Sequence, residues 1–226
     1  MPVILVTGFG RFPGASINPT AALVARLERS RRPALADLRI AAHVFATRYA
    51  AVDHELPALI AREKPDAIVL FGVATKAKRL RLELIARNRA SVLFPDAGRA
   101  KPATTTIAGG APSWRVGRFS PQRLLAAARS AGVYPTLSRN AGAYLCNYAY
   151  WRALEAAARA GGPRVVAFVH IPPLRVKALP RRAERQRRTG NMHALARLTR
   201  VSEAMLIAIR TMLRDISTTR RPATLV

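Results

Sequence analysis

A single cysteine, Cys146, is all the thiol chemistry this 226-residue chain carries. That excludes an intrachain disulfide framework. With no CxxC pair and no His/Cys cluster, a structural zinc site is not expected either, and a reducing, cytoplasmic setting fits best. Acids are scarce too: 12 Asp and Glu stand against 38 Lys and Arg, a formal net charge of +26. Aromatic residues make up only 6% of the chain, and the one dense basic block, Arg175 to Arg188, contains none to stack on a base. The cationic excess therefore reads as an arginine-rich solvated surface. Nucleic acid is not expected as a partner, and other anionic partners stay open. No apolar run approaches the roughly 18 residues that a membrane span needs. Met1-Pro-Val-Ile-Leu-Val-Thr-Gly8 has no basic region ahead of its short apolar run, so neither membrane insertion nor a secretory signal is expected.

What is present is apolar residue in quantity, 50% of the chain, enough for one sizeable core. One domain is expected over residues 1–216, with 217–226 a frayed tail. Val3-Ile-Leu-Val-Thr-Gly8 is a continuous apolar run ending in Gly, as suits a strand buried on both faces of a parallel sheet. Asn18-Pro19 then opens a helix, with Asn as cap and Pro in its first turn. Leu38 to Ala46 alternates like a strand, Tyr49 to Glu63 has helical spacing stopped by Pro65, and Asp66 to Gly72 is a second buried strand. This order predicts an α/β fold, an open, mostly parallel twisted sheet flanked by helices on both faces.

Further on, Leu80, Leu82 and Leu84 recur at period two among cations, which predicts a strand or hairpin at a sheet edge with its polar residues outward. Phe94 to Pro102 is rich in turn residues, and Thr104 to Gly110 reads as a short strand. Val133 to Ser138 reads as another, before a helix in which Tyr148, Trp151, Leu154 and Ala157 share a face. Pro163 to His170 is a further buried strand. Met192 to Leu213 is an amphipathic helix that ends the fold.

Three residues carry candidate chemistry, each beside a plainer reading. Cys146 falls near a helix N-terminus, where orphan N–H groups and the helix dipole favour a thiolate and could hold an oxyanion; a lone cysteine is also a common buried hydrophobe. His170 stands at the C-terminal end of a central strand, the edge where open α/β sheets bind ligands, though a structural hydrogen bond would equally explain it. Glu83 is the one acid in a cationic segment, as a surface ion pair would be. Phe9 and Phe12 are loop aromatics at the same sheet edge, either ligand contacts or caps on the core. A thiol, a base and an orienting acid are the residue types that nucleophilic catalysis needs.

The same residues lie in ordered motifs that resemble the pyroglutamyl peptidase I family, cysteine peptidases with a Glu, Cys, His order. Thr7-Gly-Phe-Gly-Arg-Phe12 with Asn18-Pro19, Glu83-Leu-Ile-Ala-Arg-Asn88, Ala141-Gly-Ala-Tyr-Leu-Cys-Asn147 and Phe168-Val-His-Ile-Pro172 are each similar to a family signature, and Pro95-Asp, Gly98 and Pro102 follow in register. The resemblance implies removal of an N-terminal pyroglutamate from peptides, with Cys146 as nucleophile, His170 as acid and base and Glu83 as its orienter. It implies no metal or cofactor, and a homo-oligomer. Phe9 and Phe12 would sandwich the lactam, Asn18 would brace their loop, and Thr47 and Tyr144 would lie nearby.

Where the family reads Gly-Gln-Ala-Gly-Gly-Arg, this chain has Gly72-Val-Ala-Thr-Lys-Ala77, so Val73 stands where an amide would contact substrate. Pro13 replaces a glycine, and Leu84 an arginine. Two alternatives follow: a hydrolase of the same mechanism with altered N-terminal specificity, and a non-enzymatic basic module that binds anions.

Overall fold

The structure, a computed structural model, describes residues 1–12, 18–174 and 184–219, and the side chains of all of these except 184–188. The apolar runs pair with one another. β1 (Val3–Phe9) lies in parallel between β2 (Arg39–Phe45) and β3 (Ala67–Val73), and β3 pairs in parallel with β8 (Val165–Ile171). Every residue of β3 and β8 is buried, as continuous apolar strands covered on both faces should be. Beyond β8 come β4 (Arg81–Glu83), antiparallel to it, and β7 (Thr136–Ser138), parallel to β4, giving the order β2-β1-β3-β8-β4-β7. A separate ribbon pairs β5 (Ile85–Arg87) with β6 (Trp114–Val116).

Alternation along the strands divides the core into two layers. Ile4, Val6, Val69, Phe71 and Val165 face α1 (Pro19–Glu28), α3 (Pro121–Ser130) and α5 (Glu184–Thr219). Leu5, Ile68, Leu70, Val166 and Phe168 face α2 (Tyr49–Glu63) and α4 (Leu145–Ala157). The helix ends follow local chemistry. Asn18 Oδ1 accepts from Thr20 N at 3.1 Å and Pro19 occupies the first turn of α1, while Lys64, at φ 45°, ends α2. At the start of α2, Asp96 Oδ2 accepts from Tyr49 N at 3.0 Å, a distant carboxylate in place of a local cap.

Four expectations need correction. β4 is an interior strand, not an edge: it lies between β8 and β7, and Leu82 and Glu83 are both fully buried. Thr104 to Gly110 is turns and bends, because Asn88 takes the place of a partner strand, accepting from Ile107 N and Ala108 N and donating to Ala108 O. The strand of that region is β6 instead, followed by α3, neither of which was anticipated. The last helix is longer than Met192 to Leu213, running from Glu184 through Thr219. Residues 175–183 of the basic block and 220–226 of the expected tail lie outside the described residues.

Candidate active site

Strand direction assembles the site. On the antiparallel pair β4 and β8, Arg81 stands opposite His170 and Glu83 opposite Phe168, so Glu83 and His170 are diagonal neighbours on one face. Glu83 Oε1 lies 2.8 Å from His170 Nδ1. On the other side of β8, Gly72 is paired with His170 in register. A Cβ built on Gly72 would stand 2.8 Å from Cys146 Sγ and 2.8 Å from the Phe168 ring, so the sulfur sits over the bare backbone of Gly72, next to the imidazole. Cys146 is the second residue of α4, which begins without a side-chain cap, leaving first-turn N–H groups beside the sulfur.

The electrostatics agree with this geometry. Burial alone would pull the His170 pKa down, but the charge and hydrogen bond of Cys146, joined by those of Glu83, outweigh it and raise it to about 9. Burial likewise pushes the Glu83 carboxyl up, and the hydrogen bonds of His170 and Ser138 with the charges of His170 and Arg81 bring it below the ordinary carboxylate value. Glu83 Oε2 has no partner of ordinary hydrogen-bond geometry, so Ser138, its register partner on β7, acts on the carboxylate more loosely than His170 does. Around the pair, Tyr150 Oη donates to Glu83 O at 2.9 Å, and the Phe168 ring meets the imidazole edge-on at 4.8 Å. The surface-pair reading of Glu83 fails, since the carboxylate is fully buried, while His170, only 5% exposed, makes a buried hydrogen bond to Glu83 and also stands beside the Cys146 sulfur. His43 is instead taken by Glu55, at 2.6 Å.

Cys146 and His170 open on a pocket of about 370 Å³ that Phe9, Phe12, Asn18, Thr47, Val73 and Tyr144 also line, so the expected contact residues are all brought together. Glu83 does not line it and stands behind His170. Phe9 packs on Phe45 at 5.9 Å, and Phe12 on Tyr144 at 6.5 Å. Asn18 Nδ2 and Thr47 Oγ1 both donate to Gly10 O, at 2.9 and 3.1 Å, which braces the turn between the two phenylalanines. Tyr144 Oη donates to Pro95 O at 3.0 Å, and Asp96 holds that loop by accepting from Gly98 N and Ala100 N. Pro13 lies outside the described residues. Gly72, the residue that makes room for the sulfur, was seen in the sequence as the end of an apolar run and the first residue of the segment that departs from the family pattern, with no role of its own. Among the described residues no cluster of His, Cys, Asp or Glu could hold a metal ion, and no helix is long and apolar enough to cross a membrane.

A thiol beside a buried His–Glu pair, at the ligand edge of an open α/β sheet, defines the class as a thiol hydrolase. The family model for pyroglutamyl peptidases matches residues 2–215. The chain belongs to the pyroglutamyl peptidase family, and is a cysteine peptidase of that type. Among its relatives, the pyrrolidone-carboxylate peptidase of Thermococcus onnurineus is 30% identical over 176 residues, covering 78% of this chain and 86% of that one. The pyrrolidone-carboxylate peptidase of Thermococcus kodakarensis is 31% identical over 75% of this chain and 80% of its own. The pyrrolidone carboxyl peptidase of Pyrococcus furiosus superposes with a TM-score of 0.74 at 25% identity, over 90% of this chain and 98% of that one.

Proposed function

We propose that Cys146, His170 and Glu83 carry out the removal of N-terminal pyroglutamate that family membership assigns to this chain. The observation that carries the roles is the buried 2.8 Å Glu83–His170 contact with the Cys146 sulfur seated over Gly72, the register partner of His170. With Nδ1 held by Glu83, Nε2 is the nitrogen left for the thiol proton. With its pKa raised to about 9, the imidazole already holds that proton at neutral pH, so Sγ attacks the pyroglutamyl carbonyl carbon as the partner of an imidazolium, and the developing oxyanion is met by first-turn N–H groups of α4. When the tetrahedral species collapses, the C–N bond breaks and the imidazolium gives its proton to the leaving amine. Water, deprotonated by the same imidazole, then cleaves the thioester and restores the thiol. Glu83 holds the tautomer and steadies the imidazolium.

The pocket suits a small neutral ring. Phe9 and Phe12 offer apolar faces for the lactam, while the polar groups of Asn18 and Thr47 are engaged with Gly10 and serve to fix the loop. Val73 faces the same space and brings no amide, which supports a family mechanism with relaxed polar selection. We further place the protein in the cytoplasm, where a reactive free thiol stays reduced, and read it as a homo-oligomer, a reading that the exposed Leu93, Phe94, Trp114 and Val116 support.

The test is release of a chromophore from a pyroglutamyl amide, run beside prolyl, alanyl and glutamyl amides. Cleavage of the pyroglutamyl amide is expected, abolished in a folded Cys146→Ala variant. Steeply salt-dependent binding to polyanions, without hydrolysis and indifferent to that change, would favour the basic binding module instead.

A further inference from the structure

The pocket carries a charge that a neutral lactam does not use. Lys76 and Arg81 line it, and no Asp or Glu does. Of the acids whose charge reaches its lining, Glu83 is fully buried behind His170 and engaged with it, though it also feels the charge of Arg81, and Asp96 is taken by the backbone N–H groups of Tyr49, Gly98 and Ala100. No ion pair among the described residues takes either cation. Lys76 belongs to the segment after β3 that departs from the family pattern, and it is exposed; Arg81 is half-buried. Their place along the substrate follows from topology. β4 runs antiparallel to β8, so its first residue, Arg81, is level with His170 at the ligand edge while Glu83 lies deeper. His170 is the group that protonates the leaving amine, and the ring is claimed by Phe9 and Phe12. A cation level with His170 therefore stands by the leaving peptide, not the lactam.

We propose that Lys76 and Arg81 form a carboxylate-binding rim on the leaving-peptide side of the pocket, so that the preferred substrates are pyroglutamyl peptides with a carboxylate on the first residue after the scissile bond. The inference rests on the pyroglutamyl reading of the site. That carboxylate has two sources: an acidic side chain, or the free α-carboxylate of a pyroglutamyl dipeptide. Guanidinium and ammonium groups bind either, and the attraction is partly screened because the rim is open to water.

The experiment compares kcat/KM at low ionic strength for four substrates: the amides of pyroglutamyl-Glu, pyroglutamyl-Gln and pyroglutamyl-Lys, and pyroglutamyl-Gln as the free acid. Two partly screened cations should favour an anionic substrate over the Gln amide by roughly three- to tenfold, with the Lys amide below both. Preference for the Glu amide assigns the rim to the side chain, and preference for the free acid assigns it to the α-carboxylate. Either preference should shrink as salt is raised to about 0.5 M. It should also shrink in Arg81→Gln and in Lys76→Gln, and fall further in Lys76→Glu, an exposed position where the fold is not at stake. Equal kcat/KM for all four, or a preference untouched by Lys76→Glu and Arg81→Gln, overturns the rim while leaving the peptidase reading intact. Failure to cleave any of the four overturns both.

Discussion

Gly72→Ala is the sharpest test of where the sulfur lies. The added Cβ would meet Cys146 Sγ and Phe168 Cζ, each at 2.8 Å, and β3 is buried along its whole length, so the backbone has little freedom to retreat. Ordinary contact begins at 3.4 Å, which asks the sulfur and the ring each to yield by about 0.6 Å. Overpacking of this kind destabilises by about 1–3 kcal/mol, and misplacing a reacting atom by about 1 Å can lower the rate by about a hundredfold. The expected result is a kcat/KM on a pyroglutamyl amide reduced roughly ten- to a hundredfold, with a lower Tm and a slower reaction of Cys146 with iodoacetamide. Three readouts are needed to separate displacement of the ring, read by Tm, from displacement of the sulfur, read by kcat/KM and alkylation. A lower Tm with kcat/KM and alkylation unchanged would mean that the thiol does not sit over Gly72, and the proposed attack geometry would be refuted.

Other outcomes follow from the same geometry. His170→Ala should reduce kcat far more than Glu83→Gln, and the double change should cost little beyond His170→Ala alone, since Glu83 acts only through the imidazole; additive losses would place Glu83 in a separate role. Because the His170 pKa is raised to about 9, the imidazolium that serves the leaving amine persists through neutral pH, and kcat/KM should decline as pH rises through about 9. A decline centred near an ordinary histidine value would contradict the Cys146–His170 coupling. Val73→Gln, which restores an amide to the pocket wall, should raise the preference for pyroglutamyl over prolyl amides by roughly tenfold to a hundredfold. An unchanged ratio would mean that position 73 does not meet the lactam.

Much of this was legible in the chain, and the failures have physical causes. β1, β3 and β8 were readable because strands covered on both faces are continuously apolar, and Cys146 and His170 because each sits where an element begins or ends. β4 was misread because an acid among cations looks solvated; its partner, His170, is 87 residues away in sequence and no local pattern announces it. β6 has Trp114 and Val116 exposed and so lacks the alternation of a half-buried strand, and α3 buries only Leu124 and Ala128, too thin a stripe to stand out. Phe9 and Phe12 were readable as loop aromatics at the ligand edge, whereas Asn18, Thr47 and Tyr144 were gathered as site residues by family resemblance, not by physics, since loop residues converge only once the sheet edge is built. The role of Gly72 is invisible in sequence because it is set by the sulfur across from it.

The reversed strand β4 also explains why acid and nucleophile do not compete for the imidazole. Parallel β1, β3 and β8 bring their C-terminal ends to one edge, where the pocket opens. A parallel β4 would carry its last residue to that edge as well, and the carboxylate would face substrate and water. Running antiparallel, it ends inside the sheet, so Glu83 is fully buried and reaches His170 from the core side, at Nδ1. Nε2 is thereby left to the ligand side, where α4 delivers the thiol. A buried carboxylate that lost this partner would be strongly destabilising, and the imidazole is accordingly held in one orientation by the same contact that keeps the acid ionised. Topology thus divides the two ring nitrogens between the core and the pocket, and under the proposed mechanism proton transfer is confined to the pocket side.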